Sequence, residues 1–234
     1  MTDVARNEYQ QALDDLRADV REMGESVLTQ FDRGLDALET NDEELAREVV
    51  DGDAAINERY LALESDCVDL LALQQPVASD LRFVTASFKI ITDLERVADL
   101  STNFAHYSMS AERRSEDEHA GDRPAQVDVG AIGEVAGDQV TAALDAYADG
   151  DADAARSVAD RDDEVDALCQ RASERVVRDL IESEAGSDAW AVERLMDDVS
   201  RHLLTIRDLE RVGDHAVNIA ARTVYMVESD PELI

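Results

Sequence analysis

One acidic segment occurs twice in the chain, as DLERVGDH at residues 208–215 and as DLERVAD at residues 93–99. Each copy holds a glutamate and an aspartate four residues apart, Glu95 with Asp99 and Glu210 with Asp214. On an α-helix, residues at this spacing lie one turn apart on the same face, so the two carboxylates repel each other. A nearby cation would relieve that repulsion. Carboxylate oxygens on the helices of a bundle are also the ligands that hard metal ions prefer.

The two copies belong to a longer internal repeat. Residues 35–37 and 144–146 both read Leu-Asp-Ala, and Asp53 recurs as Asp162 at the same offset. The offset changes only between these residues and the acidic segment, in or beside a loop that we predict at residues 185–188. A chance similarity would not keep its register through two helices and then change only at a turn.

The composition predicts an all-α protein. Aromatic residues make up 4% of the chain and there are three prolines, which disfavours a sheet protein. Apolar residues recur at the three-and-four spacing of amphipathic helices. We predict helices at about residues 4–39, 41–75 with caps Asn41 and Asp42, 76–113 opened by Pro76, 128–149, 151–183, and onwards from Ser187 or Asp188. With residues 114–127 as a linker, they form two tandem three-helix bundles, at residues 1–115 and 116–234.

Acidic residues greatly outnumber basic ones. Asp and Glu total 55 against 22 Lys and Arg, the net charge is -33, and Lys89 is the only lysine. Such a surface is typical of a salt-rich cytoplasm, where screening weakens self-repulsion, so we expect a halophilic archaeon as the source. The chain has no basic patch for nucleic acid or for an anionic membrane. It also has no signal-peptide pattern and no apolar run of about 20 residues, so we expect a cytoplasmic protein without membrane insertion.

A helical-wheel projection places Glu210 within the apolar arc of the sixth helix and Asp214 at its margin. It places Glu95 and Asp99 in the same way on the third helix. The preceding helix of each bundle carries a second polar pair, Asp162 with Asp166 and Asp53 with Asn57. Each bundle therefore presents two facing pairs.

An ordinary charged helix surface is the alternative interpretation of these pairs. In that case Arg96 and Arg211 would form ion pairs along their own helices. The recurrence of the pattern in matched positions favours a metal site instead. Cys67 and Cys169 fit small buried residues with free thiols better than a disulfide.

We assign no catalytic residue. The sequence has no recognisable nucleophile with a base beside it and no glycine-rich phosphate loop. None of the histidines falls directly beside an acidic pair, since His215 projects well away from Glu210 and fits a surface or rim position. His106 lies on the arc of Glu95 two to three turns further on, and the alternative is that it extends that site.

At these residues the chain resembles the PhoU family of phosphate-signalling regulators. The resemblance rests on the doubled DLER segment, on QPVASDLR at residues 75–82, and on Asn103 and Asn218. It implies two similar three-helix bundles whose acidic pairs bind divalent or trivalent metal ions, such as iron, magnesium, manganese, zinc or calcium. The implied ligands are Glu210, Asp214, Asp162 and Asp166 in one bundle, and Glu95, Asp99, Asp53 and Asn57 in the other. Because Asn57 is neutral, we expect the first-half site to be the weaker one.

The resemblance also implies a cytoplasmic, non-catalytic regulator of phosphate uptake that contacts the phosphate ABC transporter and a sensor kinase. A metal would hold the helices of one bundle together and leave long helical faces for a partner protein. The rival interpretation is a carboxylate-bridged metalloenzyme, such as a hydrolase or an oxygen-handling protein. Catalysis needs an open coordination position with an acid or base beside it, and the missing histidine counts against that. The oligomeric state is left open, with a homodimer among the alternatives.

Overall fold

The computed structural model describes residues 3–74, 78–115, 128–182 and 189–230. These residues form seven α-helices and no β-strand. The helices are α1 (Asp3–Thr40), α2 (Glu43–Gln74), α3 (Ala78–Ser115), α4 (Val129–Asp149), α5 (Ala152–Asp160), α6 (Asp162–Glu182) and α7 (Ala189–Glu228). The predicted all-α fold is confirmed.

Most predicted helices begin and end within a few residues of the observed ones. The predicted cap Asp42 accepts a hydrogen bond from the Leu45 N–H, at 3.0 Å, and so caps α2. The predicted opening of the third helix at Pro76 and the predicted caps Ser187 and Asp188 lie outside the described residues. So does most of the linker predicted at residues 114–127.

The second half differs from the prediction at one point. The helix predicted at residues 151–183 is divided at Arg161 into α5 and α6, whereas its counterpart α2 is continuous. At the division the Glu164 N–H donates to the Arg161 carbonyl, three residues back, at 3.0 Å. The division opens a new helix whose first turn holds three acidic residues, Asp162, Asp163 and Glu164. The positive end of a helix dipole stabilises acidic side chains there, and a continuous helix would lose that stabilisation.

One hydrophobic core runs through both halves of the protein. Helices α1, α2 and α3 pack together, α4, α5 and α6 pack against α7, and the halves meet where α3 lies along α7 and α1 along α4. Phe31 and Phe104 meet edge to face within the core, with ring centroids 5.9 Å apart. Both predicted free thiols, Cys67 and Cys169, are buried and unpaired by disulfide. None of the described helices carries an apolar stretch long enough to cross a bilayer.

Helices α1 and α4 approach each other closely at two glycines that are equivalent in the repeat. A Cβ atom on Gly24 would lie 2.5 Å from Cδ1 of Leu144, and one on Gly133 would meet Cδ1 of Leu35. Leu35 and Leu144 are also equivalent in the repeat, so the contact is reciprocal. The two halves are therefore related by an approximate twofold axis that passes between α1 and α4.

Candidate functional site

The first acidic set consists of Asp53 and Asn57 on α2 and of Glu95 and Asp99 on α3, all partly buried. The Asn57 amide donates to Asp53 at 2.8 Å. Burial, together with the charges of Asp99 and Asp53, raises the pKa of Glu95 even though Arg96 acts in the opposite sense. Burial and the charge of Asp53 raise the pKa of Asp99 in the same way. The structure thus brings the predicted residues of α2 and α3 together as a crowded group of like charges.

The second acidic set consists of Asp162 and Asp166 on α6 and of Glu210 and Asp214 on α7. Burial, then the charges of Asp166 and Asp214, raises the pKa of Asp162. The pKa of Glu210 is raised by burial and by the same two aspartates. The four predicted residues therefore face one another across α6 and α7.

The side chains of the second set are more exposed than the helical-wheel projection predicted. Glu210, Asp214 and Asp166 are exposed, so the predicted place of Glu210 within the apolar arc is wrong. The fully buried stripe of α7 runs instead through Leu209, Val212, Ala216 and Ile219. Glu210 follows Leu209 and is therefore turned by about 100° round the helix from that stripe. It borders the surface groove where α6 and α7 pack together.

The carboxylates crowd one another without sharing a single centre. Within the four described ranges, no three His, Cys, Asp or Glu side chains converge closely enough to hold one metal ion. Binding a cation at either set would need these side chains to turn towards each other, and their partial or full exposure leaves room for that.

Two buried glutamines, which the sequence analysis missed, lie behind the acidic sets at equivalent positions of the repeat. Gln30 is 7% exposed and donates to Asp53 at 3.0 Å. Gln139 is 2% exposed, donates to the Val158 carbonyl at 3.2 Å, and also hydrogen-bonds Asp162. Their signal in the sequence is a glutamine that recurs at matched positions, each followed by an apolar residue, Phe31 or Val140.

The Oε1 atom of Gln139 has no hydrogen-bond partner among the described residues. A Cβ atom at Gly213 would lie 3.4 Å from it, so a side chain at 213 would lie against this buried oxygen. In the first half the equivalent residue is Ala98, whose carbonyl accepts from Gln30 at 3.3 Å. A buried carbonyl oxygen without a donor, beside four acidic residues, fits a bound cation or its water.

The first residue of each DLER segment has a different role, which the sequence analysis also missed. Asp208 is 5% exposed and accepts from Asn103 at 3.1 Å and from Tyr107 at 2.9 Å, both on α3. In the equivalent contact, Asp93 accepts from Asn218 on α7 at 3.3 Å. Each aspartate therefore bonds the asparagine of the opposite half, and the contact repeats about the approximate twofold axis.

His215 belongs to this contact between the halves. Its Nδ1 lies 2.9 Å from Asp93, and the imidazole is largely buried. The sequence analysis placed His215 away from Glu210, at the rim. It did not identify Asp93 as a partner, because a projection of one helix carries no information about residues on another helix.

The chemistry of the groove does not suit a nucleophilic enzyme. Burial, followed by the charges of Glu210 and Asp166, raises the pKa of the Cys169 thiol to about 12. In the metal-free protein the thiol therefore stays protonated at neutral pH, which disfavours its use as a nucleophile. What the arrangement can do is attract cations to two outward-facing acidic grooves.

The fold and the two grooves define a class of duplicated helical-bundle proteins with an acidic set in each half. Within that class, the model of the PhoU domain matches the chain twice, at residues 20–108 and 129–223. The chain belongs to the PhoU family.

Similar proteins occur in bacteria and archaea. A Pseudomonas aeruginosa protein named as a phosphate-specific transport system accessory protein PhoU homolog is 34% identical, over 94% of this chain and 85% of its own. A similarly named homolog of Methanothermobacter thermautotrophicus is 32% identical, over 94% of each chain. The crystal structure of PhoU from P. aeruginosa covers 95% of this chain with a TM-score of 0.81 at 34% identity. That of the phosphate transport system regulatory protein PhoU from Streptococcus pneumoniae covers 95% with a TM-score of 0.82 at 26% identity.

The contact between Asp208 and α3 should stabilise the joined halves. We expect Asp208→Ala to lower the free energy of unfolding by about 1–3 kcal/mol, because Asn103 and Tyr107 lose their buried acceptor. The control is Asp145→Ala, on the exposed side of α4, which should change it by less than about 0.5 kcal/mol. Urea unfolding of the parent and of these variants gives the free energies. A double-mutant cycle of Asp208→Ala with Asn103→Ala then gives the coupling energy between these two side chains. Additive effects of the Asp208 and Asn103 changes would show that the two side chains do not interact.

Charge crowding in the first set should make stability depend on pH. The folded protein holds the Glu95 proton more tightly than the unfolded chain does, since the pKa of Glu95 is raised in the fold. The stabilisation that protonated Glu95 gives the fold is complete below the pKa of the unfolded chain, about 4.3. It is lost as the pH rises through the higher pKa of the folded protein. In the presence of chelator, the parent should therefore lose stability relative to Glu95→Gln as the pH rises above about 4.3 and through the higher folded pKa of Glu95. Glu134→Gln, on the exposed side of α4, should follow the parent, and a Glu95→Gln curve parallel to the parent would contradict the crowding.

Proposed function

We propose that this chain is a non-catalytic regulator of phosphate uptake that works by contact with the phosphate ABC transporter and a sensor kinase. The observation that carries the proposal is its likeness, over nearly its whole length, to proteins named as phosphate-specific transport system accessory proteins. The protonated thiol beside the second set, and the lack of a histidine among the predicted ligands, support a role without catalysis. A cytoplasmic location would place the protein on the side of the membrane where transporter ATPase subunits and kinase domains lie.

A metal ion at each acidic set is the second part of the proposal. The residues that would hold it are Asp162, Asp166, Glu210 and Asp214 in the second half, and Asp53, Asn57, Glu95 and Asp99 in the first. A hard cation such as iron, magnesium, manganese, zinc or calcium would replace carboxylate repulsion with coordination. It would tie α6 to α7, or α2 to α3, and so fix the shape of one outer groove.

The second set is the better candidate of the two. It has four carboxylates, and behind them lies the buried Oε1 atom of Gln139, which has no hydrogen-bond partner among the described residues. In the first set Asn57 contributes no charge, and its amide already donates to Asp53. We therefore propose that the second half binds the cation more tightly.

Metal content and thermal stability test the second part. Glu210→Gln keeps the size of the side chain and removes one charge, so it should lower the amount of bound Mn²⁺ and the Tm gained on adding Mn²⁺. Glu95→Gln should have a smaller effect, and Glu134→Gln none. If Glu210→Gln retains as much Mn²⁺ as the parent and melts at the same temperature with and without chelator, the acidic sets form a solvated helix surface.

Removal of the gene tests the regulatory role. Cells without it should take up phosphate at a high rate even when phosphate is ample, and the parent gene should restore the restraint. The measurement is uptake of labelled phosphate in phosphate-replete and phosphate-starved cells. Unchanged uptake in both conditions would overturn the proposal.

A further inference from the structure

Two pairs of exposed apolar side chains occur at equivalent positions of the two halves. Val68 on α2 is 51% exposed and Leu81 on α3 is 46% exposed, while their equivalents Val177 on α6 and Met196 on α7 are 44% and 49% exposed. We name them the first and the second apolar pair. Solitary exposed apolar residues are common, but a pair repeated in both halves of so acidic a chain indicates a shared use.

Each apolar pair lies along the same groove as an acidic set. Leu81 is about five helical turns from Asp99, and Met196 is the same distance along α7 from Asp214, so in each case the two residues share one helix face. Val68 and Val177 share a face in the same way with Asn57 and Asp166, about three turns away. Each outer groove therefore presents an acidic set and, roughly 20 Å further along, an apolar pair.

Val177 of the second apolar pair lines a surface depression on α6. The depression has a volume of about 500 Å³, and its other lining residues include Glu174, Arg178, Ile181 and Glu182. Ile181 is 78% exposed and extends the apolar surface towards the end of α6. The depression offers an apolar contact for a side chain of leucine size, and its charged lining residues are Glu174, Arg178 and Glu182.

We propose that the two outer grooves are equivalent docking sites for a basic amphipathic helix, so that one chain binds two copies of the same partner segment. This segment would place apolar residues on the apolar pair and Lys or Arg about four turns along, at the acidic set. The three or four carboxylates of each set carry more negative charge than one divalent cation neutralises, so a bound metal and a nearby Lys or Arg are compatible. Charge selects this occupant, because a second copy of this chain would bring another net charge of -33 and an anionic membrane surface would also be repelled. Because the approximate twofold axis relates two equivalent grooves, we expect two docking sites per chain. The inference rests on the proposed function, since it names the chemistry of the partner.

The first experiment titrates the full chain with a helical peptide that has a leucine face at one end and a lysine cluster about four turns further along. Isothermal calorimetry should give two peptides bound per chain. Val68→Asn with Leu81→Gln should weaken peptide binding at the first site about tenfold or more. Val177→Asn with Met196→Gln should do the same at the second site. The variant with all four changes should be weakened at both sites. These substitutions leave the net charge unchanged, so adsorption driven by charge alone would not respond to them.

Leu204→Gln with Val227→Asn is the matched control, because both residues are 42% exposed and neither belongs to an apolar pair. This control should bind two peptides like the parent, and a peptide with glutamates in place of the lysines should not bind. Unchanged binding by the fourfold variant, or equal loss in the control, would overturn the proposal. So would self-association of the parent that the fourfold variant abolishes, since the pairs would then form a contact between two copies.

A second experiment separates this inference from the proposed function. Cells that lack the gene receive the parent, the fourfold variant or the control variant, after melting curves have shown that all three fold. The fourfold variant should fail to restore control of phosphate uptake, whereas the control variant should succeed. If gene removal disturbs uptake but the fourfold variant restores it, the docking grooves are wrong and the regulatory role stands. If gene removal has no effect, the regulatory role fails, and the peptide titration alone decides the grooves.

Discussion

Asp93 and Asp208 are held between α3 and α7 by side chains of the opposite helix, and this reciprocal contact fixes how the two halves meet. A carboxylate removed from water is costly unless hydrogen-bond donors surround it. Asp208 finds Asn103 and Tyr107, and Asp93 finds Asn218 with His215 close by. Since each aspartate bonds an asparagine of the other half, α3 and α7 must run antiparallel in one register.

The DLER segment serves two faces of its helix. Its aspartate and its glutamate are two residues apart, which turns them by about 200° and sets them on opposite sides. The aspartate is bound towards the other half, and the glutamate is left on the outer side of its own bundle, towards the facing pair. The position of each acidic set is therefore a consequence of the way in which the halves join.

Repulsion within the acidic sets is the reason to propose that the protein responds to cations. Burial and neighbouring charges raise the pKa of Glu95, Asp99, Asp162 and Glu210, so the metal-free groove is strained by its own charge. In the function proposed above, a bound cation would remove that repulsion and link two helices. It would thereby set the shape of the surface offered to a partner without any chemical step.

The sequence by itself determined the helices, the repeat and the residues of both acidic sets, because helix periodicity and a repeat offset can be read directly along the chain. The doubled DLER segment and the motifs around it indicated the family. Even so, the projection put Glu210 inside the apolar arc, since a wheel cannot say which neighbours a helix will have. Only the tertiary structure decided that Arg161 divides one helix, that Gln30 and Gln139 lie behind the acids, and that His215 reaches Asp93. The last contact joins residues more than a hundred positions apart, and nothing in the spacing of either segment specifies which face meets the other half. Which helix face meets the other half is decided when the two bundles pack about one continuous core. There the free energy gained by burying whole helix faces outweighs the preference of any single side chain for its surroundings.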